Sequence, residues 1–152
     1  MQDFWGLKTL YLECNAIQVI ENLGHMTELR CLYMANNVLQ SLAGIQALKS
    51  LWTIDVSHNA LDSLAPLSCL DKLKSISATH NKLARPDGLE GLLNCTDLQT
   101  LDLGNNRIKS CESLEIVFQL PVSLLRLVGN PVVSETRYAV SDMTTASTLC
   151  VQ

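Results

Sequence analysis

The sequence predicts an α/β fold, a right-handed curved solenoid with a parallel sheet of about six strands on its concave side. Two observations carry this reading. Asparagines recur at Asn15, Asn37, Asn59 and Asn81 with a period of 22 residues, and Asn106 follows 25 residues later. Each closes the same apolar frame, L-x-x-L-x-L-x-x-N. It appears as Leu7-Leu10-Leu12-Asn15, Leu29-Leu32-Met34-Asn37, Leu51-Ile54-Val56-Asn59, Leu73-Ile76-Ala78-Asn81 and Leu98-Leu101-Leu103-Asn106. A degraded copy, Val122-Leu125-Leu127-Asn130, follows. Self-similarity at such a period signals units that bury their apolar faces only by stacking.

Within a unit, the closely spaced apolar pair (Leu10 and Leu12 in the first) marks a short strand. Alternate residues point inward, and those between them point out. The chain then leaves the sheet, and its turn needs partners for backbone polar groups. Asn suits that place because its amide offers two donor hydrogens and an acceptor. Beyond each Asn, apolar residues recur at a spacing of three: Ile17, Ile20, Leu23; Leu39, Leu42, Ile45; Leu61, Leu64, Leu67. That spacing predicts 3₁₀-like return segments on the convex side. The fourth unit is three residues longer, and its segment through Pro86, Leu89, Leu92 and Leu93 predicts a turn of α-helix. In the fifth, Leu114, Val117 and Phe118 at i, i+3, i+4 predict a helix over 111–120, stopped by Pro121. Right-handedness follows from the crossover rule for parallel strands.

One domain suffices for 152 residues, with a solenoid over 1–133 and a capping segment that reads as cut short over 134–152. The 47% apolar fraction supports a continuous core, and only 17% of residues are charged. Net charge −4 and pI near 5.2 weigh against a nucleic-acid surface, which calls for a basic face. No apolar run reaches the length of a membrane span. The opening Met1-Gln2-Asp3-Phe4-Trp5 reads as neither signal nor transit peptide. The six cysteines form no C-x-x-C pair, which suits reduced thiols in a cytoplasmic chain. Few residues precede the first strand. Either Phe4 and Trp5 fold over the end of the stack, or the chain starts inside a longer protein, and the second is favoured. The expected state is a monomer, or an edge-paired assembly if the first strand is uncapped.

Outward side chains of stacked strands form columns. Seven residues before each Asn stand Lys8, Arg30, Trp52, Lys74 and Gln99; four before stand Tyr11, Tyr33, Asp55, Ser77, Asp102 and Arg126. Aromatic and charged residues gather in the N-terminal half. The sharper reading is a partner-binding patch of Lys8, Tyr11, Arg30, Tyr33, Trp52, Asp55, Lys74 and Asp102, since Tyr, Trp and Arg dominate interface energetics. The plainer reading packs these aromatics sideways on neighbours in their own sheet. His58 and His80 fall on adjacent repeats, where a metal would need Asp55 or Asp102 as further ligands; two rim histidines are the favoured reading. No Ser–His–Asp or Cys–His set and no phosphate-cradling glycine loop is visible, so neither an enzyme nor a cofactor is expected. Asn94-Cys95-Thr96 matches a glycosylation sequon, which a cytoplasmic chain leaves unused.

The frame L-x-x-L-x-L-x-x-N is the leucine-rich repeat signature. Units such as Asn15-Ala-Ile-Gln-Val-Ile-Glu-Asn-Leu23 resemble the 22-residue cytosolic subclass found in the phosphatase-1 regulatory subunit. Leu10-Tyr-Leu-Glu-Cys-Asn-Ala-Ile17, and Leu125-Arg-Leu-Val-Gly-Asn-Pro-Val-Val133 with Arg137-Tyr138, look closer to the dynein axonemal assembly factor family. Similarity to the subclass spans roughly residues 7–138. The tail Met143-Thr-Thr-Ala-Ser-Thr-Leu-Cys150 departs from that family's cap. The resemblance implies a non-catalytic adaptor in preassembly or docking of ciliary or flagellar dynein. Its partners would be dynein chains or their chaperones, with cytoplasmic and cilium-associated localisation. The alternative it implies is a regulatory subunit holding a phosphatase catalytic subunit on the concave face.

Overall fold

The computed structural model describes Phe4 and residues 6–135. Six three-residue strands form one parallel sheet in sequence order: β1 (Thr9–Tyr11), β2 (Cys31–Tyr33), β3 (Thr53–Asp55), β4 (Ser75–Ser77), β5 (Thr100–Asp102) and β6 (Leu124–Arg126). Every register step pairs equivalent frame positions, as in Leu10 with Leu32, Leu32 with Ile54 and Ile54 with Ile76. The extra residues of the fourth unit therefore leave the sheet unshifted, since Ile76 still pairs with Leu101. Length is absorbed on the return side.

The central strand residues and the apolar residue two further on face a single core. Leu32, Ile54, Ile76 and Leu101 are buried together with Met34, Val56, Ala78 and Leu103. Leu39, Leu42, Ile45, Leu61, Leu64 and Leu67 close the core from the return side. Each buried side chain of this size contributes about 1.5–3 kcal/mol. No repeat could gather that alone, because its neighbours supply the opposing wall.

The asparagines join one repeat to the next. Asn37 Nδ2 donates to the Met34 carbonyl of its own repeat at 3.0 Å and to Leu12 of the preceding one at 2.9 Å. Its Oδ1 accepts the Ile17 N–H at 3.0 Å. Asn59, Asn81, Asn106 and Asn130 repeat this scheme, taking the N–H groups of Leu39, Leu61, Leu83 and Ile108. The sequence reading had each Asn serving its own turn; the structure shows it serving the turn of the preceding repeat as well. Asn15 is exposed, and among the described residues it bonds only to the carbonyls of Leu12 and Glu13.

The residue before each ladder Asn takes a left-handed backbone. Cys14, Asn36, His58, His80 and Asn105 have φ between 53° and 57°, and Gly129 has 77°. This conformation turns the chain out of the sheet. Asn, His and Gly tolerate it better than branched residues.

Return segments contain 3₁₀ turns at Ile45–Ala47, Ala65–Cys69, Pro86–Gly88 and Glu90–Asn94. The α-helical turn expected in the fourth unit is thus two 3₁₀ turns. Gly91 explains why: a Cβ there would sit 2.7 Å from Ala65 Cα and O. The two return segments meet backbone to backbone, and the wider α-helix does not fit that spacing. The fifth unit carries α1 (Cys111–Phe118), capped by Ser110 Oγ accepting the Ser113 N–H. A short helix, α2 (Pro131–Glu135), follows β6. The expected cap over 134–152 falls almost wholly outside the described residues, as do Trp5, Arg137 and Tyr138.

Candidate functional site

The outward positions of β1–β4 bring most of the anticipated residues together. Tyr11 and Tyr33 stand on paired positions of neighbouring strands and stack with ring centroids 4.8 Å apart and planes 6° apart. That separation equals the natural distance between strands, so the register itself produces the stack. Tyr11 remains 67% exposed. Tyr33 is half-buried, and burial pushes its phenol above the usual value, with Cys31, Tyr11 and Asp55 adding to the effect. Asp55 follows Tyr33 in the same column and accepts the Ser57 N–H at 2.9 Å.

A second column runs just before the strands. The Arg30 guanidinium lies 4.5 Å from the centre of the Trp52 ring, and the Lys74 ammonium 5.2 Å from it. Trp52 is 38% exposed. Lys8 stands one repeat before Arg30 and is exposed. Cations over an aromatic face are attracted by its quadrupole, at about 0.5–1 kcal/mol each at exposed sites. The aromatics pack on neighbours in their own sheet, and Tyr11 and Trp52 remain open to solvent.

Asp102 does not join this group. It lies on β5, where Oδ1 accepts the Gly104 N–H at 3.0 Å and Oδ2 pairs with Arg126 at 3.4 Å. His58 and His80 form a face-to-face stack on the rim, 4.1 Å apart and 13° from parallel. Their left-handed backbones place both rings at the exit turns. Among the described residues, no three His, Cys, Asp or Glu side chains assemble as a metal site would require. No helix there is long and apolar enough to cross a membrane.

One feature is not anticipated from the sequence: the left-handed column, whose signal is the run Asn36, His58, His80, Asn105 and Gly129 one place before the ladder. At the β1 end, where the first frame has no facing repeat, lies an open apolar cleft of about 860 Å³, lined by Phe4, Leu7, Leu10, Leu12, Leu23 and Met26 among others.

Residues 71–115 match the family model for leucine-rich repeats, described as two copies. Among solved structures, the chain is similar to internalin C2 of Listeria monocytogenes, at 23% identity and TM-score 0.72 over 82% of this chain and 53% of that one. It is similar to a leucine-rich repeat protein of Leptospira interrogans, at 25% identity and TM-score 0.70 over 84% of this chain and 32% of that one. The leucine-rich repeat domain of APL1B gives 23% identity and TM-score 0.71 over 81% and 37%. The chain thus spans about half of internalin C2 and about a third of the other two. No curated protein sequence matches it. The asparagine ladder, the six-stranded parallel sheet and the match over 71–115 together make this chain a leucine-rich repeat solenoid.

Proposed function

We propose that the chain is a non-catalytic protein-interaction scaffold that receives its partner on the outward face of β1–β4. The observation that carries this reading is the open patch formed by the Tyr11–Tyr33 stack beside the Arg30–Trp52–Lys74 array. Leucine-rich repeat proteins generally mediate protein–protein contacts. Rings held in fixed stacks lose little freedom when a partner covers them, which favours affinity. Tyr, Trp and Arg are also the residue types that dominate interface energetics.

The finer reading is an adaptor in assembly or docking of axonemal dynein, in the cytoplasm and associated with cilia or flagella. It is supported by the resemblance of Leu10–Ile17 and Leu125–Val133 to the dynein axonemal assembly factors. The test is affinity capture from a lysate of ciliated cells, comparing the wild type with a Tyr11→Ala/Tyr33→Ala/Trp52→Ala variant by mass spectrometry. Dynein chains or their chaperones should be retained by the wild type and lost by the variant. Capture of a phosphatase catalytic subunit instead would replace the dynein reading. Equal capture by both proteins would move the site off this face.

A further inference from the structure

The cations of the patch show what kind of partner it suits. Lys8, Arg30 and Lys74 occupy one column, and the column itself carries no carboxylate. Glu28, Lys72 and Asp97 stand two places earlier in their own repeats, close by along the chain. Yet the ion pairs among the described residues are Arg85–Asp87 and Arg126–Asp102, so none of the three cations pairs with a described carboxylate. In a chain of net charge −4, an unneutralised cationic column on the exposed face is unexpected from composition alone.

Trp52 holds two of these cations in place. Arg30 and Lys74 come from the strand-entry positions on either side of it, and both place their charge over its ring. A guanidinium lying on an aromatic ring keeps its N–H groups in its own plane, free to donate outward in a fork that fits a carboxylate. The ring thus fixes the cations without neutralising them, and much of the side-chain entropy normally lost on binding has already been spent.

We propose that the Lys8–Arg30–Lys74 column, in which Trp52 positions Arg30 and Lys74, seats an acidic segment of the partner protein, with Asp or Glu carboxylates bonding Arg30 and Lys74. This rests on the scaffold reading above and names the partner's chemistry. Glu13, Asp55 and Asp102 on the same face favour discrete carboxylates over the continuous charge of a nucleic-acid backbone. A partner with acidic residues toward the strand entries and neutral or basic ones toward Asp55 would complement the whole patch.

The probe is a fluorescein-labelled twelve-residue peptide of alternating Glu and Ala, compared with its Gln-for-Glu counterpart by anisotropy on the full chain. The Glu peptide should bind, weaken as salt rises, and lose about tenfold or more in affinity against Lys8→Gln/Arg30→Gln/Lys74→Gln. The charge-matched control Lys82→Gln/Arg107→Gln/Lys109→Gln, changed at exposed positions elsewhere, should bind like the wild type. Equal binding of the Gln peptide, or an equal loss in the control, overturns the proposal. So does a single-stranded oligonucleotide of matching charge that binds more tightly through the same three residues. In the lysate capture, the two ideas separate. If the aromatic variant loses the partner while the charge variant keeps it, the scaffold reading stands and the acidic-segment proposal falls.

Discussion

Replacing Asn81 by Ala should cost far more stability than replacing Asn15, although both close the same sequence frame. Asn81 Nδ2 donates to the carbonyls of Val56 at 3.0 Å, Ala78 at 3.2 Å and Thr79 at 3.1 Å, and its Oδ1 accepts the Leu61 N–H at 3.0 Å. Two of those carbonyls keep other partners after truncation, since Asn59 Nδ2 reaches Val56 and Asn106 Nδ2 reaches Ala78. The Leu61 N–H, in a fully buried residue, loses its acceptor. A stranded buried donor costs about 1–3 kcal/mol, and the lost donor bonds add roughly 1 kcal/mol, so Asn81→Ala should lose about 2–4 kcal/mol. Asn15 holds only two carbonyls of its own turn at an exposed position, and Leu12 retains a bond from Asn37. Asn15→Ala should lose no more than about 1 kcal/mol. Urea unfolding reads the difference: at a slope of about 2 kcal/mol per M, Asn81→Ala should lower the midpoint by roughly 1–2 M. Asn15→Ala should move it by less than about 0.5 M. Equal shifts, or none for Asn81→Ala, would refute the view that the ladder acts between repeats.

Three further outcomes follow from the same structure. His58→Val should cost about 1–2 kcal/mol and His58→Asn almost nothing, because a branched residue is strained at φ 54° while Asn accepts it; thermal unfolding of the pair decides this. Gly129→Ala should destabilise by about 1–3 kcal/mol, since its Cβ would collide with Asn105 Oδ1 at a left-handed φ of 77°; an unchanged melting temperature would contradict the geometry. Burial pushes the Cys95 thiol up from 9.0 to about 11. The folded state therefore favours the neutral thiol, so its contribution is intact below pH 9 and is lost as pH rises toward 11. Alkaline unfolding curves should show that loss in the wild type and a smaller one in Cys95→Ala. At pH 8, iodoacetamide should modify exposed Cys14 well before Cys95.

The sheet and core were legible because the frame repeats with little interruption. Leu10, Leu32, Ile54, Ile76, Leu101 and Leu125 are named by spacing alone, and they are the paired strand centres. The helix over 111–120 was legible from its 3.6-residue periodicity and appears as Cys111–Phe118. The fourth return segment was not, because Leu89, Leu92 and Leu93 suit a helix locally. What decides the matter is the contact of Gly91 with Ala65, which lies in the neighbouring repeat. For the patch, columns followed from the repeat, so the grouping of Arg30, Trp52 and Lys74 was visible. Their stacking order was not, because it depends on side-chain rotamers. Asp102 was grouped with the patch by column, yet it sits two strands from Asp55 and is held by Arg126. The difference between Asn15 and the other ladder residues is likewise a matter of neighbours, and frame spacing treats all of them alike.

The most direct measurement is site-specific photo-crosslinking. A benzophenone amino acid would replace Tyr33 on the sheet face, or Leu93 on the return side, where it is 41% exposed. Both proteins would be irradiated in the same ciliated-cell lysate. A discrete adduct should form from position 33 and disappear when Tyr11 is also changed to Ala, with none from position 93. An adduct from position 93 alone would place the partner on the opposite side of the solenoid and rule out a site on the sheet face.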